Sequence, residues 1–237
     1  MDKIEYDVSL SRKELVFKSN ELVQEAKFDL TTNEQKLILW AASKIRKEDT
    51  EFEEYNLSVA EFCEIMGIEK CSKNTKNIED CLNRLALKFF WMTRADGART
   101  RIQWFITNVI KDSCIHVRFH PDLRPYLLNL TEKFTAFELG TIVQMHSKYS
   151  IRIYELMKCK LWMGQYKVSV DEMKDWLQCA EYADYNNFKR RVLDVAVSEI
   201  NAVSDLIIDF QPIRTGRRIT DLVFSIEHNP FYGREMT

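Results

Sequence analysis

A chain that carries the same succession of elements twice is constrained to build one supersecondary unit in duplicate. Here Leu57 to Ile68 (LSVAEFCEIMGI) reappears as Val168 to Cys179 (VSVDEMKDWLQC), each a strand-like approach, a Ser-x-x-Glu helix start and an amphipathic turn sequence. A longer helix with a charged outer stripe follows each copy, Asn74 to Phe90 and Asn186 to Asn201. Then comes a Gly-centred basic hairpin, Ala95 to Phe105 (ADGARTRIQWF) and Arg214 to Phe224 (RTGRRITDLVF). A short helix, a turn, a longer polar-faced helix and a basic hairpin make a winged helix-turn-helix, whose second helix is the usual reader of the DNA major groove. The expected fold class is α+β, mostly helical, with two tandem winged-helix domains at 1–130 and 131–237. The expected partner is double-stranded DNA.

Composition supports two cores. At 237 residues, 46% hydrophobic and 12% aromatic, the chain can form two compact domains of roughly 100 residues each. No apolar run approaches the roughly 18 residues that span a bilayer, and the N-terminal stretch has no apolar signal region, so no membrane association and a cytoplasmic location are expected. The six cysteines are scattered without a C-x-x-C pair or a His at zinc-ligand spacing, so they read as reduced, mostly buried side chains. No phosphate-cradling G-x-x-x-x-G-K-[ST] occurs and the glycines are isolated, so no cofactor and no enzyme activity are expected. His116 and His120 in HVRFH lack the adjacent acids and third ligand that a metal-dependent nickase requires, and Tyr149, Tyr154 and Tyr182 fit helix packing better than strand transfer.

A formal net charge of -2 at first opposes nucleic-acid binding, but distribution matters more than the sum. Acid is concentrated in Glu48 to Glu54 (EDTEFEE), whereas Lys189, Arg190, Arg191, Arg214, Arg217 and Arg218 gather on one helix and one hairpin. Helical periodicity places scaffold helices at Asn20 to Phe28 and Asn33 to Lys47, capped by Thr31 or Thr32 with Glu34 in the first turn. Capping boxes are expected at Ser58 with Glu61 and at Ser169 with Glu172, and Gly67 ends the first of these helices.

Counting 100° per residue, Ile78, Cys81, Leu82, Leu85, Ala86 and Phe89 share one arc of the first long helix. Lys76, Asn77, Asp80, Asn83, Arg84 and Lys88 lie opposite. In the second, Phe188, Val192, Leu193, Val195, Ala196, Val197 and Ile200 turn inward, and Asn187, Arg190, Arg191, Asp194, Ser198 and Asn201 outward. Glu199 falls inside the apolar arc and calls for a buried partner or a domain contact. Guanidinium forks match guanine edges or paired phosphate oxygens, so Arg190 and Arg191 are the candidates for base contact, with Lys189 on backbone. Arg214, Arg217 and Arg218 are expected on phosphates, as are Arg94, Arg99 and Arg101 of the first hairpin. A solvated helix face remains the alternative for each stripe.

The segments EKFTAFEL (Glu132 to Leu139), KYSIRIYELMK (Lys148 to Lys158), FKRRVLDVAVSEIN and GRRITDLVFSI resemble the C-terminal half of plasmid replication initiators of the Rep_3 superfamily, and NELVQEAKFDLTTNEQKLILWAASKI resembles its N-terminal half. The resemblance covers nearly the whole chain. It implies a DNA-binding initiator that binds direct repeats at an origin, opens the adjacent duplex and recruits a host initiator, helicase or helicase loader. It further implies a homodimer in equilibrium with monomer, the dimer pairing through the first domain and repressing its own promoter at an inverted repeat. By position, the family's principal base reader falls on Asn187 to Asn201, and the first domain's helix, Lys76 to Lys88, falls more on backbone. A dual winged-helix transcriptional regulator without initiator activity would share these features, and a rolling-circle nickase is a third, weaker reading.

Overall fold

The computed structural model of the protein describes residues 14–67, 72–93, 97–112 and 114–233. Strand β1 (Leu15–Ser19) leads into helix α1 (Asn20–Glu25), and helix α2 (Thr32–Ser43) follows. Thr31, not Thr32, caps α2: its hydroxyl accepts from Glu34 N while the Glu34 carboxylate accepts from Thr31 N, a closed capping box. Both helices stop short of the ends that periodicity suggested. Cys71 and Arg94 lie outside the described residues.

The first winged helix comprises β2 (Tyr55–Ser58), α3 (Val59–Met66), α4 (Ser72–Leu87), β3 (Phe89–Thr93), β4 (Arg99–Gln103), β5 (Phe105–Lys111) and β6 (Cys114–Phe119). The Ser58–Glu61 box forms, and Gly67 closes α3 at a left-handed φ of 67°. Helix α4 buries Ile78, Cys81, Leu82 and Leu85. Phe89 does not join them, because the helix has ended at Leu87 and Phe89 begins a strand on its exposed face.

A 3-10 turn at Pro121–Leu123 and the one-turn helix α5 (Arg124–Leu127) follow, then β7 (Phe134–Glu138), α6 (Leu139–Gln144) and α7 (Lys148–Lys160). The second winged helix comprises β8 (Gln165–Ser169), α8 (Val170–Leu177), α9 (Tyr185–Phe188), a π-helical turn (Lys189–Leu193), α10 (Asp194–Val203), β9 (Leu206–Thr215) and β10 (Arg218–His228). Ser169 caps α8 by accepting from Glu172 N. The reciprocal bond that closes the box at Ser58 is not formed here among the described residues.

Sheet topology separates the two hairpins that the sequence equated. In the second domain the order is β8-β10-β9, the strand before the helices pairing with the last strand of the wing; the first domain's equivalent is β2-β6-β5. The first wing is therefore β5–β6. Of the segment expected to be the first wing, Arg99–Gln103 forms β4, which pairs with β3 in a separate two-stranded sheet inserted ahead of the wing. Similar Gly and Arg content suggested equivalence, but the strand that reaches the β2 edge is the one whose alternate residues, Ile115, Val117 and Phe119, bury in the core.

The two halves are interlocked. Strand β1 pairs antiparallel with β7, across the division expected at residue 130, and Leu123, Tyr126, Leu127 and Leu128 of the bridging segment are buried. Helix α7 is buried along nearly its whole length. It carries Arg152 and Glu155, which with Lys18 of β1 form a buried charge cluster: Lys18 Nζ lies 2.8 Å from Glu155 Oε1 and Arg152 Nη1 3.3 Å from Oε2. The Arg152 guanidinium also donates to Ala26 O at 2.8 Å and lies between the rings of Phe28 and Trp176. Trp176 of α8 in turn donates to Val23 O at 3.2 Å. Burial lowers Lys18 from the usual amine range and brings Arg152 down to about 10, against the pull of Glu155. Removing the shared acid leaves two buried cations unpaired, so Glu155→Ala should lower stability by about 3 to 5 kcal/mol in urea unfolding. A decrease under about 1 kcal/mol would mean water reaches the cluster.

Glu199 finds its partner at the N-terminus of the same α7. Its carboxylate accepts from Ser147 N at 3.1 Å and from His146 N, reinforcing the Ser147 cap at the positive end of the helix. The buried Lys36 amine donates to Val143 O at 2.7 Å; burial drives it down to about 8 although Glu199 pulls it up. Between about pH 8 and 10.5 the unfolded chain thus holds a proton that the folded chain has released, and the Lys36 contribution to stability rises with pH. Lys36→Met should stand most favourably against the native protein at about pH 7. Its relative stability should fall by about 2 to 3 kcal/mol by about pH 10, read from denaturant midpoints. A pH-independent difference would contradict the lowered amine.

Candidate nucleic-acid interface

The second long helix is a single rod over 185–203 containing a π turn. Asp184 caps it, accepting from Asn187 N at 3.0 Å. Bonding i to i+5 widens the turn, so each residue of the π segment advances less than an α-helical 100°. The inward set becomes Phe188, Val192, Leu193, Ala196 and Ile200, and Val195, expected in the core, is turned to the surface. The same lag brings Glu199 to the edge facing α7.

Arg190 and Arg191, adjacent in the π turn, are both exposed. Arg190 donates to Asn187 Oδ1 at 3.3 Å, while Arg191 is held in no ion pair among the described residues. Lys189 points to the flank of the helix: its amine is 2.7 Å from Asp194 Oδ1 and lies 5.7 Å from the Phe210 ring on β9. That pair is over 40% exposed at both ends, so opening it costs at most about 1 kcal/mol. Ser198 is exposed, but Asn201 is not available to a ligand, since its amide donates to Ile208 O (2.9 Å) and accepts from Ile208 N (2.7 Å). The Phe210 and Ile208 contacts root the wing against the helix.

Beyond that root, Gln211 to Arg218 is exposed throughout. Thr215 and Arg218 are register partners, so Gly216 and Arg217 form a two-residue turn, and Gly216 at φ 62° supplies the left-handed position it needs. Arg214, Arg217 and Arg218 are exposed and make no ion pair among the described residues. Elsewhere, several charges are paired within the protein. In the acidic loop Glu51 pairs with Arg124 and Glu54 with His116 at 3.2 Å. His120 Nδ1 accepts from Asp122 N at 3.2 Å.

The first-domain stripe divides. Lys76, Asn77 and Asn83 are exposed. Arg84 and Lys88 reach back to the buried Glu34 carboxylate at 3.3 and 2.7 Å, tying α4 to the cap of α2. Arg99 and Arg101 lie on the inserted hairpin, Arg99 over the Trp91 ring and Arg101 over Phe89. The wing that topology identifies carries Lys111, exposed at the end of β5. Sequence reasoning passed over it because no cluster of Gly and Arg marks that turn.

Against known families, residues 15–158 match the model described as initiator replication protein, WH1, and residues 169–226 match initiator Rep protein, WH2. The chain belongs to the Rep_3 family of replication initiator proteins. The first match runs through most of α7, past residue 130 where the sequence alone divided the chain. An Escherichia coli replication initiation protein is 30% identical over 240 residues, covering 90% of this chain and 69% of its own length. A probable replication protein of Bifidobacterium longum (strain NCC 2705) is 27% identical, covering 80% of this chain and 64% of its own. The Pi initiator protein, solved in complex with iteron DNA, superposes with a TM-score of 0.74 at 17% identity, covering 92% of this chain and 99% of that one. The last likeness is one of fold.

If the wing meets only phosphates, Arg217→Ala with Arg218→Ala should weaken all duplexes alike. The slope of log affinity against log salt should flatten by roughly one unit for each phosphate left unneutralised. Salt titrations on repeat and unrelated DNA check this, and a weakening confined to the repeat would make the wing a base reader.

Proposed function

We propose that this Rep_3 protein binds directly repeated origin DNA, with the 185–203 helix in a major groove and the β9–β10 wing on the adjacent backbone. The observation that carries this reading is the set of exposed guanidinium groups at Arg190, Arg191, Arg214, Arg217 and Arg218, which have no carboxylate partner among the described residues, in a chain that pairs many of its other charges internally. Adjacent Arg190 and Arg191 suit the O6 and N7 edge of guanine, while Asn187 and Ser198 suit shorter contacts. Asp194 exchanges Lys189 for a cytosine amine if the pair opens, freeing Lys189 for phosphate. In the first domain, Lys76, Asn77, Asn83 and the half-exposed Arg84 contribute mainly backbone contacts.

The Pi initiator is described with iteron DNA, and the same class of site is the duplex proposed here. Opening of the neighbouring duplex, recruitment of a host initiator, helicase or helicase loader, and repression of its own promoter by a homodimer at an inverted repeat complete the proposal. The chain spans about two thirds of the length of the relatives named above, and these wider activities belong to the proposal alone.

The test is repeat-site affinity at fixed salt. Arg190→Ala and Arg191→Ala should each weaken specific binding by about 1 to 3 kcal/mol per base no longer read and leave circular dichroism unchanged. Unaltered affinity in both variants would remove this helix from the role of reader.

A further inference from the structure

The β3–β4 hairpin is not the wing, and its outer face sets aromatic rings and arginines side by side. In an antiparallel ribbon alternate residues share a face: Phe90, Met92 and Ile102 are buried, whereas Phe89, Trp91 and Thr93, opposite Gln103, Arg101 and Arg99, are all exposed. Trp91 is 48% and Phe89 38% accessible. The two arginines lie over these rings, the Arg99 guanidinium 5.1 Å from the Trp91 centroid and that of Arg101 over Phe89. Large apolar rings held at the surface and roofed by cations form a flat, positive, π-rich platform.

Its spacing selects the ligand. Alternate residues on a strand stand roughly 6.8 Å apart, about twice the 3.4 Å between bases along one strand of a duplex. Paired DNA keeps its bases stacked on both faces and presents only edges and phosphates. An unpaired strand can separate its bases to that spacing and lay them against successive platforms, phosphates meeting the guanidinium edges. Beside the hairpin, Trp91, Thr93 and Arg99 form one wall of a cleft of about 310 Å³ whose other lining includes Glu25, Lys27 and Gln178. The cleft gives such a strand a continuation between the domains.

We propose that the outer face of the β3–β4 hairpin binds single-stranded DNA by stacking bases on the Phe89–Arg101 and Trp91–Arg99 layers. A strand released by duplex opening is the form in which the ligand would arise, and that use depends on the preceding reading; the binding itself does not.

The probe is a short fluorescein-labelled oligothymidine, titrated by anisotropy with the full chain at low salt beside the repeat duplex. Trp91→Ala and Phe89→Ala should each weaken oligothymidine binding roughly tenfold, with Trp91→Tyr retaining most of it and all three holding repeat-duplex affinity within about twofold. Arg190→Ala should do the reverse, weakening the duplex and sparing oligothymidine, so failure of either site is read separately. Circular dichroism and the thermal midpoint confirm folding, and the conservative Tyr variant keeps the test valid if an Ala variant unfolds. Full oligothymidine affinity in Trp91→Ala and Phe89→Ala overturns the proposal and leaves a protein partner as the occupant of the face. Equal weakening on oligothymidine and duplex overturns it in favour of a backbone contact to double-stranded DNA.

Discussion

The buried cluster of Lys18, Arg152 and Glu155 holds the two halves in one arrangement. A carboxylate taken from water is stable only if its oxygens are matched, and here a strand from the start of the chain supplies one cation and the central helix the other. Arg152 extends the link to Ala26 O and, through the rings on both its faces, to Phe28 and Trp176. Such a cluster tolerates one geometry, because a shift of β1 against α7 leaves a charge unpaired in an apolar interior. With β1 paired to β7, it makes α7 the shared axis on which both winged helices are mounted. The spacing between them is then a property of packing and not of a flexible tether.

The same chain disposes of its other charges in two ways. Many acids are paired: Glu34 holds Arg84 and Lys88, Glu51 holds Arg124, Glu54 meets His116, and Asp205 takes Lys158 and the Tyr154 hydroxyl. What remains outward on the second helix and its wing is chiefly guanidinium. A net charge near zero is therefore compatible with a cationic edge, since the field at a surface depends on which charges lie within a Debye length of it.

The duplication is unequal, and the inequality is concentrated where ligands would be met. The second helix acquires a π turn that puts two arginines side by side on its surface, whereas the first sends an arginine and a lysine back into the protein. The first unit gains a hairpin that the second lacks among the described residues, and that hairpin shows solvent stacked rings and cations instead of a polar strand face.

Local chemistry was legible in the sequence wherever it acts over a few residues. The Ser58–Glu61 box, the Ser169 cap, the Gly67 terminus, the buried arc from Ile78 to Leu85 and the glycine of the second wing are all decided by neighbours along the chain. The repeat itself carried the tandem winged-helix class, because two copies of one pattern bury their apolar faces in the same way. Tertiary structure decided the rest. Whether β4 or β6 completes the first sheet depends on competition for the β2 edge, which residues 95–105 cannot reveal. The exposure of Val195 depends on one widened turn, invisible to a 100° count. Glu199 looked misplaced until α7, distant in sequence, brought its N-terminus against it, and Arg84 meets its carboxylate partner in Glu34, 50 residues away along the chain. Sequence specifies interactions that close within a turn or a hairpin; partners far apart in the chain are chosen only when packing brings them together.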